Sequence, residues 1–182
     1  TWYEGDVSPV RLFDSFTRRK VELEPLVAGQ LGMYLCGPTV QDAPHVGHGR
    51  SAVAFDVVRR YLGWSGLRVK FVRNVTDIDD KIIAKARERG VTPREIADRY
   101  AAEYRTEMGA LGVLPPDVEP VVTESIPEII ALVARLVAAG NAYPSGGDVY
   151  FSVDSFADYG ALSGQSIDEL RAGARIEVDD QK

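Results

Sequence analysis

The stretch Met33-Tyr34-Leu35-Cys36-Gly37-Pro38-Thr39-Val40-Gln41-Asp42-Ala43-Pro44-His45-Val46-Gly47-His48 holds the only cysteine of the chain and both of its histidines. Met33 to Cys36 is a short apolar run closed by Gly37-Pro38, which predicts a buried strand opening into a loop. Beyond His48, the residues Ala54, Val57, Val58, Tyr61 and Leu62 recur at the spacing of one buried helical face, and Gly63 and Gly66 mark its stop. Leu67, Val69 and Phe71 then alternate with Arg68 and Lys70, as a second strand would. Strand, loop, helix and strand at this spacing make a parallel crossover. That unit predicts right-handed winding and a ligand crevice at the carboxyl ends of the strands.

A helix beginning near His48 would turn its free amides and positive dipole end toward the loop after Cys36, where anions collect. Gly47 would let backbone approach a phosphate, and the imidazoles of His45 and His48 can donate to phosphate oxygens. When the α-phosphate of ATP is attacked, negative charge grows on its oxygens and on the bridge to pyrophosphate. A donor fixed in advance stabilises that charge by about 2.7–4 kcal/mol, by analogy with oxyanion-hole deletions. The competing reading is that the two histidines simply cap a helix. Cys36 falls at the carboxyl end of the first strand. The residues favour burial over metal ligation there, since no Cys-x-x-Cys or His-x-x-x-His partner exists. The run Asn74-Val75-Thr76-Asp77-Ile78-Asp79-Asp80 ends the second strand; its side chains either bind a substrate amine or ribose hydroxyl or cap the next helix.

Flanking segments read as follows. Val10 to Phe13 and Val21 to Leu23 predict a small hairpin around Asp14 to Arg19. Asp77, Asp79 and Asp80 ahead of Ile82, Ile83 and Ala86, with Lys85, Arg87 and Arg89 late and Gly90 after, are in the order a helix dipole favours. Thr92-Pro93-Arg94-Glu95 is a capping box before a face of Ile96, Tyr100, Tyr104 and Met108, and Ser125-Ile126-Pro127-Glu128 repeats the device. The regular stripe Ile126, Ile129, Ile130, Val133, Leu136 and Val137 is expected to be core. Leu114-Pro115-Pro116 separates two helices, one strand is expected over Asp148 to Val153, and the tail Glu177 to Lys182 is polar.

The chain has 182 residues, 45% of them hydrophobic, which suits one domain or a domain with a sizeable insertion. The net charge of -6 argues against a generally basic surface, so contact with nucleic acid would need a local patch. No apolar run approaches the roughly 20 residues that cross a bilayer, and Thr1 to Val10 lacks a signal pattern, so a cytoplasmic protein without membrane contact is expected. One cysteine forms no internal disulfide and is expected to be a reduced thiol.

Cys36-Gly37-Pro38-Thr39-Val40, His45 to Arg50, Phe55 to Leu62 and Arg73 to Ile83 together resemble the cysteinyl-tRNA synthetases. The resemblance continues through Gly147 to Phe151, Tyr159-Gly160, Leu162 to Gln165 and Ala172 to Arg175. It implies an α/β, Rossmann-type (HUP-like) parallel-sheet domain of a class I synthetase, with a mainly helical connective insertion. Residues 1–110 would be the first half of the catalytic domain, and 111–182 the start of the insertion. By the same resemblance, Cys36 looks like the first ligand of an active-site Zn2+ that binds the substrate thiolate, which reverses the burial reading. The harder hydroxyl of serine would bind such a metal poorly. Pro38 to His48 resembles the first family signature, with His45 and His48 toward ATP phosphates and Gly37, Pro38, Thr39 and Gly47 shaping the nucleotide loop. Thr76 looks like a substrate contact, with Thr39, Asp77 and Asp79 along that wall. The implied reaction makes cysteinyl-adenylate from L-cysteine and ATP with Mg2+, then transfers cysteine to tRNA(Cys); a monomer is expected.

The family's remaining zinc ligands and its Lys-Met-Ser-Lys-Ser loop are expected beyond this chain, whose lysines are Lys20, Lys70, Lys81, Lys85 and Lys182. The 182 residues are therefore expected to be an incomplete and inactive front part. Two rivals share these motifs: a cysteine:glucosaminyl-inositol ligase of mycothiol synthesis, which passes cysteine to an aminosugar, and a non-catalytic nucleotide- or partner-binding short form. A small nucleotidyltransferase would need neither Cys36 nor the long helical insertion.

Overall fold

The computed structural model describes residues 9–164, so the expected motif residues Gln165 and Ala172 to Arg175, and the tail, lie outside it. The chain divides into two compact units, residues 25–126 and residues 1–24 with 127–182.

In the first unit, β3 (Gln30–Leu35) and β4 (Arg68–Arg73) pair in parallel, Leu31 against Val69, Met33 against Phe71 and Leu35 against Arg73. The helix α1 (Val46–Trp64) joins them, which gives the expected crossover. A further extended segment runs parallel to β4 on its other side, through bridges from Val72 to Val118 and Val75 to Val121. Asp117 stitches that edge: one carboxylate oxygen accepts from the Phe71 amide at 2.6 Å and the other from Arg59 at 2.9 Å.

The helix α2 (Asp80–Arg89) starts on an Asp79 cap and stops at Gly90, whose φ of 66° is the left-handed turn that glycine adopts without strain. The helix α3 (Pro93–Ala110) opens with the expected Thr92–Glu95 capping box and buries Ile96, Tyr100, Tyr104 and Met108. The main core joins Val40, Val75, Ile82, Ala86, Ile96, Ala97, Tyr100 and Ala101; a second cluster joins Ala52, Tyr104 and Met108. Full burial of a side chain such as Ile82, 0% exposed, stabilises by about 1.5–3 kcal/mol.

Four expectations are corrected by this fold. β3 is not a buried strand: its residues alternate between exposed and half-buried, because one face of it has no cover among the described residues. The helix joining the strands begins at Val46, and its buried face runs through Gly49, Ala52, Asp56 and Leu62. Of the five residues expected inside, Leu62 is buried and Val58 half-buried, whereas Ala54, Val57 and Tyr61 are exposed. Small residues and one carboxylate make that contact. Asp56 faces inward because it accepts from the Arg60 Nε at 2.6 Å and from the Leu114 amide at 3.1 Å.

In the second unit, β1 (Arg11–Asp14) and β2 (Arg19–Glu22) form the expected antiparallel hairpin. The third correction concerns α4 (Ile126–Ala138): none of its residues is buried. Ile126, Ile129, Ile130 and Val137 are exposed and Val133 and Leu136 half-buried, so the apolar stripe is not core among the described residues. No Ser125 capping box forms either, because residues Thr123–Ser125 wind as a 3-10 turn straight into α4 and the Ser125 hydroxyl donates to the Val121 carbonyl. The strand β6 (Asp148–Phe151) lies where one was expected, and it pairs with β5 (Ala142–Ser145), which the turn-rich composition had hidden. No helix among the described residues is long and apolar enough to cross a membrane.

Candidate functional site

The two loops that leave β3 and β4 are zipped together. The Thr76 amide donates to the Pro38 carbonyl at 3.0 Å, and the Val40 amide to the Thr76 carbonyl at 3.1 Å. Asn74 anchors the junction: its Oδ1 accepts from the Gly37 amide at 2.8 Å and the Tyr34 hydroxyl at 3.0 Å. Its Nδ2 donates to the Thr76 Oγ1 at 3.3 Å. Gly37 is required by this crossing, since a Cβ there would lie 1.6 Å from the Asn74 carbonyl oxygen. Cys36 stays exposed at the end of β3, and its thiol donates to the Gly37 carbonyl at 3.8 Å.

His45 and His48 form a capping box at the start of α1. The Gly47 amide donates to the His45 Nδ1 at 3.1 Å, and the His45 amide donates to the His48 Nδ1 at 3.1 Å. A ring nitrogen that accepts from an amide carries no proton, so both neutral rings hold theirs on Nε2. Capping therefore prepares two N–H donors beside the positive helix end. The rings lie 4.0 Å apart, and the space beside Gly47 is filled by the His45 ring, 2.9 Å from where a Cβ would stand. The absent side chain thus leaves room for that imidazole. Burial, and then the charge of His45, hold His48 below the usual histidine value of 6.5. Its ring meets Tyr104 edge-on at 6.2 Å.

A cavity of about 280 Å³ opens at the carboxyl ends of β3 and β4. It brings together Cys36, Gly37, Pro38, Thr39 and His48. The remaining expected residues fall elsewhere. Thr76 is engaged with Asn74 and the Pro38 loop. Asp77 turns away: its carboxylate accepts from the Thr123 amide at 3.0 Å and from the Thr123 hydroxyl, and it lines a separate cavity of about 680 Å³. Asp79 caps α2 through the Lys81 amide at 2.9 Å. Capping of the next helix, one of the two possibilities the residues had left open for this run, is seen for Asp79, whereas Asp77 fastens the loop at Thr123.

His45 lines a larger cavity of about 770 Å³ against the end of α3, mostly apolar, which contains neither Cys36 nor His48. Cys36 and His48 are in the smaller one. That smaller cavity also holds Gln41, Arg73, Lys81 and Tyr104, which the sequence reading passed over. Arg73 had a signal, for Leu67, Val69, Phe71 and Arg73 share one register, and an arginine in an inward register invites explanation.

Among the described residues, no three of His, Cys, Asp and Glu are grouped so as to hold a metal ion. Cys36 is one soft donor, fewer than the three or four protein ligands a zinc ion takes, so these residues alone do not make a zinc site.

Residues 22–182 match the family model described as the tRNA synthetases class I (C) catalytic domain. The chain is 51% identical over 174 residues to the cysteine–tRNA ligase of Cronobacter sakazakii, covering 95% of this chain and 38% of that protein. It is 52% identical over 174 residues to the same ligase of Anaeromyxobacter sp., covering 95% and 36%. For Brevibacillus brevis the identity is 47% over 173 residues, covering 95% and 37%. The chain thus spans little more than a third of the length of these relatives. Among solved structures, Mycobacterium tuberculosis methionyl-tRNA synthetase in complex with methionyl-adenylate superposes with a TM-score of 0.55. At 24% identity, over 63% of this chain and 24% of that one, it supports the fold alone.

Proposed function

Because the chain belongs to the class I (C) tRNA synthetase catalytic-domain family, we propose that it forms the ATP- and cysteine-binding front of a cysteine–tRNA ligase. The observation that carries this is the capping box of His45 and His48 at the start of α1, with the His48 imidazole lining the same cavity as Cys36. In this reaction a carboxylate oxygen of L-cysteine attacks the α-phosphate of ATP, and the bond to pyrophosphate breaks. The mixed anhydride is then attacked by a terminal ribose hydroxyl of tRNA(Cys), releasing AMP. His45 and His48 donate from Nε2 to the phosphate oxygens as charge develops, with no rotation required at that moment. The low His48 pKa keeps that ring neutral near pH 7, with one fixed donor and one fixed acceptor. ATP arrives with Mg2+, as for the family generally. A Zn2+ ion would supply a soft Lewis acid for the substrate thiolate; Cys36 would be its ligand from this chain, with the other ligands from outside the described residues. The work of such a ligase places it in the cytoplasm.

The test is exchange of pyrophosphate into ATP by the complete gene product, with each amino acid in turn, followed by acceptor assays. Cysteine-dependent exchange and charging of tRNA(Cys) are expected. Amide formation on an aminosugar without tRNA charging would replace this reading by the mycothiol ligase. Cys36→Ser is expected to raise the KM for cysteine and leave that for ATP unchanged; equal loss of both would assign Cys36 to packing.

A further inference from the structure

Arg73 is 4% exposed, yet its Nε has no hydrogen-bond partner. No ion pair among the described residues includes it. Its guanidinium carbon lies 5.1 Å from the centre of the Tyr104 ring. A ring face takes up the flat side of a guanidinium and none of its in-plane N–H groups, so this contact leaves the donors unanswered. Buried charge without a counter-charge is costly, and a protein that keeps one commonly uses it on a ligand. Within the same cavity, the Gln41 Oε1 is a buried acceptor that also has no partner. One unmet cationic donor and one unmet neutral acceptor thus share a space of about 280 Å³, near the small end of ligand cavities. A small zwitterion has both complementary groups.

Resting on the cysteine-activation reading above, we propose that Arg73 and Gln41 form a clamp for the substrate zwitterion, the Arg73 guanidinium holding its carboxylate and the Gln41 amide oxygen its ammonium group. The forked guanidinium suits a planar carboxylate and leaves one carboxylate oxygen free to attack phosphorus. It sits at the end of β4, opposite Leu35 and one residue short of the register of Cys36, so the held carboxylate is kept in the cavity that the His48 ring also lines.

The experiment measures exchange kinetics and thermal unfolding of the complete gene product carrying Arg73→Gln, Arg73→Lys or Gln41→Leu. Cysteamine, which lacks the carboxylate, and 3-mercaptopropionate, which lacks the ammonium group, serve as competitive inhibitors. Arg73→Gln is expected to raise the KM for cysteine on the order of 10- to 100-fold, the range for a lost charged hydrogen bond, with the KM for ATP unmoved. Arg73→Lys recovers part of that loss. Inhibition by 3-mercaptopropionate weakens in Arg73→Gln and persists in Gln41→Leu, and inhibition by cysteamine does the reverse. A rise in the ATP KM alongside that of cysteine, or equal loss of both inhibitors in either variant, overturns the clamp. If neither Arg73 variant folds, the residue is a structural cation and the proposal also fails. Absence of cysteine-dependent exchange by the unsubstituted protein removes the functional reading itself, whereas exchange with an unmoved cysteine KM in Arg73→Gln removes the clamp alone.

Discussion

Replacing His48 by glutamine separates the two tasks of that imidazole. Its Nδ1 accepts from the His45 amide at 3.1 Å at the third position of α1, where capping boxes ordinarily carry Glu or Gln. His48→Gln therefore keeps an acceptor for the cap and removes the Nε2–H donor, while His48→Ala removes both. Loss of the cap costs about 1 kcal/mol of stability, so denaturant unfolding should show that loss in His48→Ala and little change in His48→Gln. Loss of a transition-state donor costs about 10²–10³ in kcat, so both variants should fall by that factor in cysteine-dependent pyrophosphate exchange. An H48Q protein with undiminished exchange would refute the donor role. Destabilisation of H48Q equal to that of H48A would refute the cap.

Three further outcomes follow from the same geometry. Asp56→Ala strips acceptors from Arg60 and from the Leu114 amide and should cost about 2–4 kcal/mol by urea unfolding, with Asp56→Asn costing less because it can still accept from Leu114. Gly37→Ala puts a Cβ 1.6 Å from the Asn74 carbonyl oxygen, and the displaced loop should cost about 3 kcal/mol or more and abolish exchange. For pH, the folded His48 holds its proton less tightly than a free histidine of pKa 6.5, so the unfolded state takes up more protons as pH falls. Its contribution to stability is complete above pH 6.5 and is lost as pH drops through the window below; H48Q should flatten that part of the stability profile measured by thermal unfolding.

Local rules carried the crossover and the caps of α2 and α3. Asp79, Gly90, Thr92 and Glu95 each act within one turn of their own backbone, where residue type alone specifies the hydrogen bond. Apart from the Ser125 cap and the strand β5, the errors are questions of what covers a surface. In α1 the apolar period pointed to Val57 and Tyr61, but the contact is made by Gly49, Ala52 and Asp56, and the inward carboxylate is intelligible only once Arg60 and Leu114 are in place. The α4 stripe has a clear period and no cover among the described residues. Periodicity says which residues share a face, and leaves open whether anything lies against it. The same gap explains Asp77, whose partner Thr123 lies 46 residues away.

At the site, the residues had set helix capping against phosphate donation as rivals for His45 and His48. The ring geometry makes one the precondition of the other. An imidazole free to flip presents either nitrogen to a phosphate, and spends interaction free energy on being oriented. Once Nδ1 is taken by a backbone amide, the tautomer and the direction of the Nε2–H are both fixed before any anion arrives. Asparagine or serine at position 45 and glutamine at position 48 would serve the cap as well, but none of them has a second nitrogen on the far side of a rigid ring. On the proposed function, histidine in place of these ordinary capping residues is accounted for by the donor it leaves over.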